Sequence, residues 1–133
     1  MKVSCVIPTW DRNDFLIESI ESALGHSRVP DDLIIVNNGH GTVTVPARYL
    51  AAATIFNIVP YAGAAQARNF GAYVATGDVL AFLDDDDLWN EQYLARAMEV
   101  IENGVGCVIS RLDELTDGLV RPYKNAHGNL TLA

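Results

Sequence analysis

The sequence has few basic residues and no long apolar run, and each shortage argues against a class of protein. Nine lysines and arginines stand against 17 aspartates and glutamates, a formal net charge of −8, which argues against a surface for nucleic acid or anionic membrane. No run approaches the ~18 apolar residues of a membrane-spanning helix, and the first apolar run ends at Pro8, too early for a signal peptide. We therefore expect a cytoplasmic chain, with peripheral attachment to a membrane as the alternative.

Cysteines and phosphate-binding glycine motifs are also scarce. The two cysteines, Cys5 and Cys107, lie in strand-like apolar runs, where a cysteine is usually a small buried hydrophobic residue rather than a disulfide partner or nucleophile. Neither Gly-x-Gly-x-x-Gly nor Gly-x-x-x-x-Gly-Lys-Ser/Thr is present. What is present is a chain of 133 residues, half of them hydrophobic, which is long enough for one domain with a substantial core.

Apolar runs typical of strands alternate with stretches of helical spacing. The predicted strands are 3–7, 33–36, 54–59, 79–83 and 105–109, and the predicted helices are 13–24, 46–53, 64–75 and 91–102. Such alternation predicts an α/β fold with an open, largely parallel, doubly wound sheet and helices on both faces. Residues 1–110 would form this domain, and residues 111–133 a polar tail with a hairpin turn at Asp117 and Gly118. Gly71 in a helix predicts that something packs closely there.

The apolar run Val79–Leu83 is followed by four consecutive aspartates, Asp84–Asp87. We interpret this as a buried strand that carries carboxylates at its end. Two charges ~5 Å apart at an effective dielectric of ~20 repel by about 3 kcal/mol, so the cluster needs a cation or many hydrogen-bond donors. Aspartate oxygens suit Mg²⁺ or Mn²⁺. The alternative is a solvated acidic turn.

Three polar strand ends are predicted to share one edge of the sheet, because ligands of such folds bind beyond the carboxyl ends of parallel strands. These ends are Pro8–Asp11, Asn37–Gly39 and Asp84–Asp87. The helix that opens at Gly63 would point its N-terminus, and Arg68, toward the same edge. An aromatic residue, amides, an arginine and carboxylates together suggest a nucleotide site.

Four blocks of sequence resemble, in order and spacing, the nucleotide-binding half of family 2 glycosyltransferases. They are Val6-Ile-Pro-Thr-Trp-Asp-Arg12, Ile34-Ile-Val-Asn-Asn-Gly39, Gly63-Ala-Ala-Gln-Ala-Arg-Asn-Phe-Gly71 and Leu83-Asp-Asp-Asp-Asp-Leu-Trp89. The resemblance implies the GT-A fold, a Rossmann-like fold of nucleotide-diphospho-sugar transferases, and transfer with inversion. It implies nucleotide-sugar contacts for Pro8, Thr9, Trp10, Asp11, Asn37, Asn38, Arg68, Asp84 and Asp85, and Mn²⁺ or Mg²⁺ on Asp86 and Asp87.

The sequence departs from the family in two places. Asn37-Asn38 stands where Asp-Asp is usual, so the sequence does not determine which nucleobase the donor carries. A UDP-sugar is the leading donor. No residue matches the family's catalytic base, and the base stays unknown; Asp113 or Glu114 would have to substitute. Residues 111–133 are therefore expected to begin an acceptor-binding half for a carbohydrate or lipid-linked acceptor, and an uncovered apolar face there would favour a homo-oligomer.

Two other functions remain open at this stage. A nucleotide-binding or interaction module without turnover would fit the missing base. A haloacid-dehalogenase-type phosphohydrolase also has an apolar strand followed by Asp-x-Asp, but its motif continues to a threonine or valine where Leu88 stands.

Overall fold

The computed structural model describes residues 1–110 and 113–122. Strands β1 to β4 form one parallel sheet in the order β3-β2-β1-β4, and β5 and β6 form an antiparallel hairpin. The predicted α/β class with a parallel sheet is confirmed. The elements are β1 (Val3–Thr9), α1 (Asn13–Leu24), β2 (Asp32–Asn37), α2 (Ala47–Leu50), β3 (Ala53–Asn57), α3 (Ala64–Val74), β4 (Val79–Phe82), α4 (Tyr93–Glu102), β5 (Asp113–Thr116) and β6 (Leu119–Pro122).

Helices cover both faces of the sheet because successive residues of β1 point to opposite sides. On one side Cys5 and Ile7 pack with Leu16 and Ile20 of α1, and α4 packs against Val3. On the other side Val6 packs with Ala67 of α3. Every residue of β1 is buried, as expected for the inner strand of a doubly wound sheet.

The close packing predicted at Gly71 is present. A Cβ atom there would overlap Cγ1 of Val6 on β1, and Gly71 is buried within α3. The glycine therefore lets α3 lie directly on the central strand of the sheet.

We expect Gly71→Ala to lower the free energy of unfolding by about 1–2 kcal/mol, because overpacking against Val6 outweighs the helix propensity gained from alanine. Urea denaturation measures the change. In a Val6→Ala background the same substitution should be neutral or stabilising, since the overlapping methyl group is gone. A Gly71→Ala variant that is more stable than the parent protein would contradict this packing.

Strand β4 is less buried than its sequence predicts. It is an edge strand that pairs only with β1 among the described residues, and Leu80 and Phe82 are 41% and 44% exposed. The prediction of a buried strand was wrong for these two residues, because an unbroken apolar run does not reveal whether helices cover both faces of the sheet.

The predicted strand 105–109 was also wrong. These residues follow α4 as irregular chain, and Val105, Cys107 and Ile109 are exposed. No described strand pairs with this run, and an apolar run without a neighbouring strand cannot form a sheet ladder. Only Cys5 behaves as the buried cysteine that was expected, and burial raises the pKa of its thiol.

The turn predicted at Asp117 and Gly118 is confirmed. Both have positive φ angles, 51° and 75°, as a two-residue hairpin turn requires. Residues 111–112 and 123–133 of the predicted tail lie outside the described residues. No helix in the described part of the chain has the length and hydropathy needed to cross a membrane.

Candidate functional site

A cavity of about 340 Å³ opens at the carboxyl ends of β1, β2 and β4. The chain leaves β1 on one side toward β2 and later returns on its other side as β4, and ligands of open α/β sheets bind at such a switch of direction. The volume is within the range of small-molecule sites. The lining residues are Pro8, Thr9, Trp10, Arg12, Asn38, Tyr61, Gly63, Ala64, Arg68, Asp84 and Asp85.

Asp85 ties the end of β1 to the turn after β4. Its side chain is 1% exposed, and Oδ2 accepts hydrogen bonds from Thr9 Oγ1 at 2.8 Å and from the Trp10 amide at 3.4 Å. Oδ1 accepts from Arg12 Nη2 at 2.6 Å. These bonds satisfy a buried carboxylate and fix the backbone that carries Trp10 at the cavity.

Two arginines form ion pairs with Asp86 and Asp84. Arg12 donates through Nη1 to Asp86 Oδ2 at 2.8 Å, and Arg68 from α3 forms an ion pair with Asp84. Arg68 was predicted to lie at this edge of the sheet, whereas no role was predicted for Arg12. Arg12 could have been noticed, because it is one of only nine basic residues in the chain and directly follows the polar residues at the end of β1.

The four aspartates form a turn whose negative charge favours a cation. The Asp87 amide donates to the Asp84 carbonyl, and Ser19 of α1 donates to the carbonyls of Asp84 and Asp87 at 3.3 and 2.7 Å. Partial burial raises the pKa of the Asp87 carboxyl, and repulsion from Asp84, Asp86 and Asp85 raises it further. A bound cation would relieve this repulsion.

The described residues hold no group of three histidine, cysteine or acidic side chains arranged for a metal ion. Mg²⁺, however, is usually bound by one or two carboxylates together with substrate phosphates, not by a complete protein cage. Asp86 is 46% exposed at its side chain, and carboxylates are the right donors for Mg²⁺ or Mn²⁺. The donor set therefore fits a metal that is shared with a phosphate ligand.

Two aromatic rings form one wall of the cavity. Trp10 and Tyr61 lie with centroids 5.7 Å apart and planes at 88°, and they are 52% and 64% exposed. His40 contacts Tyr61 edge to face at 4.6 Å. Trp10 was predicted to lie here, whereas Tyr61 was missed because it lies in a loop without periodic pattern.

Asn38 directly follows β2 and also lines the cavity. It is 5% exposed, and its Oδ1 atom is buried without a hydrogen-bond partner in the protein. Its backbone amide donates to the Thr9 carbonyl and its own carbonyl accepts from the Tyr61 amide. A buried unpaired amide oxygen is unfavourable, so this residue is suited to a polar ligand atom or a water.

Asn37 and Asp11 hold the adjacent loop and do not line the cavity. Asn37 donates to the Gly41 carbonyl and to Asn57 and accepts from the Gly39 amide. Asp11 accepts from the amides of Gly41 and His40 at 2.7 and 3.4 Å. Asp86 and Asp87 likewise lie beside the cavity and outside its lining. The structure thus brings Pro8, Thr9, Trp10, Asn38, Arg68, Asp84 and Asp85 of the predicted set to the cavity wall.

Sequence comparison relates nearly the whole chain to one enzyme family. The family model described as glycosyl transferase family 2 matches residues 4–128. The chain is 37% identical over 105 residues to the uncharacterized glycosyltransferase YwdF of Bacillus subtilis, covering 77% of this chain and 39% of that protein. It is 32% identical over 124 residues to a glycosyltransferase of Nostoc, covering 89% of this chain and 38% of that one.

Solved structures support the same fold. S. aureus TarS superimposes with a TM-score of 0.65 and 21% identity, over 77% of this chain and 33% of that one. A TarS structure in complex with UDP-GlcNAc has a TM-score of 0.62 and 20% identity, over 77% of this chain and 32% of that one. A mannosyltransferase from Pyrobaculum calidifontis in complex with GDP-Man and Mn²⁺ has a TM-score of 0.62 and 24% identity, over 74% of this chain and 31% of that one. These proteins are GT-A glycosyltransferases, so the expected GT-A fold is confirmed.

Proposed function

Because the chain belongs to glycosyl transferase family 2, we propose that its cavity binds the nucleoside diphosphate of a sugar donor. The reaction would be transfer of the sugar to an acceptor hydroxyl with inversion. The chain spans about two fifths of the lengths of the two relatives described above. In this proposal, residues 1–110 are the donor-binding domain and residues 111–133 lead into the acceptor-binding part.

The single observation that carries this proposal is a cavity lining that combines two aromatic rings with an arginine–aspartate ion pair. Trp10 and Tyr61 supply two aromatic rings, and Asn38 supplies a side-chain oxygen that has no hydrogen-bond partner in the protein. Arg68 and Asp84 supply charged groups to the same lining. Planar bases stack on aromatic rings, and arginine binds phosphate oxygens well, so the layout matches a base joined to a diphosphate.

Within this site, each arginine would keep one aspartate and rearrange its other contacts when the donor binds. Arg68 is 35% exposed at its side chain and pairs with Asp84, so it can turn its remaining N–H groups to a phosphate while keeping that carboxylate near. Arg12 stays anchored to the buried Asp85, so it can give up Asp86 and remain in place. Asp86 is then free to act as a ligand.

Asp86, with Asp87 as a second candidate, would hold Mn²⁺ or Mg²⁺. When bound, such a metal stabilises the negative charge on a departing diphosphate. Known GT-A structures in complex with UDP-GlcNAc, and with GDP-Man and Mn²⁺, support a nucleotide-sugar donor and a divalent ion. Direct attack by the acceptor hydroxyl needs no protein nucleophile but does need a general base, and we assign none in this chain.

The family membership decides against the haloacid-dehalogenase alternative. A module that binds a nucleotide without turnover remains the second candidate, because no general base is assigned in this chain. Hydrolysis or transfer of a bound nucleotide-sugar, measured by release of the nucleoside diphosphate, separates the two functions.

Calorimetric titration with UDP, GDP, CDP and dTDP, with and without Mn²⁺, tests the proposal. We expect one nucleotide to bind best and to need the metal, with UDP as the leading candidate. The same titrations with Arg68→Ala should show weaker binding, because a cation for the phosphates is lost. Absence of binding by all four nucleotides would contradict the proposed function.

A further inference from the structure

Arg12 occupies a position where a helix disfavours an arginine. It is the N-cap residue of α1, and its side chain makes no capping hydrogen bond to that helix. N-cap positions favour serine, threonine, aspartate or asparagine, and the partial positive charge of a helix N-terminus repels a cation. The start of α1 therefore does not account for this arginine, and its role follows from the groups that its guanidinium binds.

The guanidinium of Arg12 joins two aspartates that differ in burial. Nη2 donates to Asp85 Oδ1 at 2.6 Å, and Nη1 donates to Asp86 Oδ2 at 2.8 Å. Asp85 is 1% exposed and also accepts a hydrogen bond from Thr9, whereas the side chain of Asp86 is 46% exposed. Because exposed ion pairs are weak, the contact with Asp86 is the one that an incoming ion can replace.

We propose that Arg12 competes with the divalent metal for Asp86, an inference that rests on the function proposed above. A metal ion that coordinates Oδ2 of Asp86 has to displace Nη1 of Arg12, and the positive charge of the guanidinium opposes a second cation beside it. Mg²⁺ is usually bound by one or two carboxylates together with substrate phosphates, so the phosphates add ligands that the free protein lacks. Arg12 thus keeps the metal affinity low until a nucleoside diphosphate is present.

A purely supporting role for Arg12 predicts an effect of the opposite sign. An arginine that only orients Asp86 for the metal would, on removal, leave a less ordered carboxylate and weaker metal binding. An arginine that competes for the same carboxylate would, on removal, leave it accessible and metal binding stronger. Titration with Mn²⁺ in the absence of nucleotide therefore distinguishes the two roles without any measurement of activity.

The test compares Arg12→Gln, Arg12→Lys and Arg28→Gln with the parent protein. Arg12→Gln removes the charge, whereas Arg12→Lys keeps it and replaces the fork of donors with one ammonium group. Arg28 donates to the Met1 carbonyl just before β1, and the seven residues of that strand place it about 20 Å from the four aspartates. Arg28→Gln is therefore the control for net charge.

Mn²⁺ binding is measured by electron paramagnetic resonance at about 0.1 M salt, where charges more than ~10 Å apart are largely screened. We expect Arg12→Gln to bind Mn²⁺ about tenfold more tightly than the parent, because the competing donor and its repulsion of the ion are both removed. Arg12→Lys should lie between the two, since a lysine that stays on Asp85 leaves Asp86 accessible. Arg28→Gln should match the parent.

Thermal unfolding of the same samples shows whether each variant is folded. Arg12→Lys keeps a cation beside the buried Asp85, so it provides the comparison with the parent even if Arg12→Gln does not fold.

Two results would overturn the inference and leave the proposed function standing. One is an Mn²⁺ affinity that is unchanged or lower in the folded Arg12 variants, and the other is an equal gain in Arg28→Gln, which would make overall charge the cause. Calorimetric titration of the parent with UDP and GDP in the presence of Mn²⁺ tests the proposed function separately. Failure of the parent to bind either nucleotide would refute that function and, with it, the dependence of the metal on a nucleoside diphosphate.

Discussion

Replacing Asp85 with alanine is expected to lower the free energy of unfolding by about 2–3 kcal/mol. The substitution removes the acceptor for the buried Thr9 hydroxyl and the partner of one Arg12 nitrogen. An unsatisfied buried hydroxyl is unfavourable by about 1–3 kcal/mol, and breaking a buried ion pair by about 3–5 kcal/mol. The side chain of Arg12 is 47% exposed, so water can solvate its charge once Asp85 is gone. The expected loss of stability is therefore smaller than the sum of these two values. Urea denaturation at neutral pH measures it.

The neighbouring Asp86→Ala variant is the matched control for stability. Asp86 has the same chemical group, and it pairs with the same arginine at 2.8 Å. Its side chain is 46% exposed, however, and exposed ion pairs contribute only about 0–1 kcal/mol. Equal destabilisation by the two alanine variants would contradict the structural role assigned to Asp85.

The same Asp86→Ala variant is expected to have the larger effect on binding. In the presence of Mn²⁺ its affinity for UDP, or for whichever nucleotide the parent prefers, should fall about 100-fold, in line with the effects of disturbing metal sites. Binding measured in EDTA should be nearly the same as for the parent, because Asp86 lies outside the cavity lining. Calorimetry with Mn²⁺ and with EDTA gives the ratio of parent to variant affinity under each condition.

Asp78→Ala is a useful control for this second prediction. Asp78 is an acidic residue just before β4, at the opposite end of the strand from the four aspartates, and it accepts a hydrogen bond from the Lys2 amide. Its removal changes the net charge by the same amount without touching the cavity. If Asp78→Ala and Asp86→Ala weakened nucleotide binding equally, the effect would be one of overall charge, and the assignment of Asp86 as a metal ligand would fail.

Much of the fold could be predicted from the sequence because local signals agreed with one another. Apolar runs that alternate with stretches of helical spacing predicted the parallel sheet. Gly71 predicted close packing of α3, and the structure shows that its neighbour there is Val6. The order of the polar strand ends placed Trp10, Asn38 and Asp84 at one cavity. These inferences depend only on periodicity and on the direction of parallel strands.

The errors arose where a residue's environment depends on distant parts of the chain. The run 105–109 is apolar enough for a strand, but a strand also needs a partner, and none is present among the described residues. The four aspartates look equivalent in sequence, yet Asp85 is buried and Asp86 is half exposed. Tyr61 carries no periodic signal, because its position follows from a loop whose backbone is tied to Asn38.

A crystal structure of the chain with UDP and Mn²⁺ tests the central claim most directly, because anomalous scattering locates the metal independently of the nucleotide. We predict the base against Trp10 and Tyr61, the diphosphate near Arg68, and the manganese peak beside Asp86. Nucleotide density outside this cavity, or a metal peak remote from the four aspartates, would contradict the account.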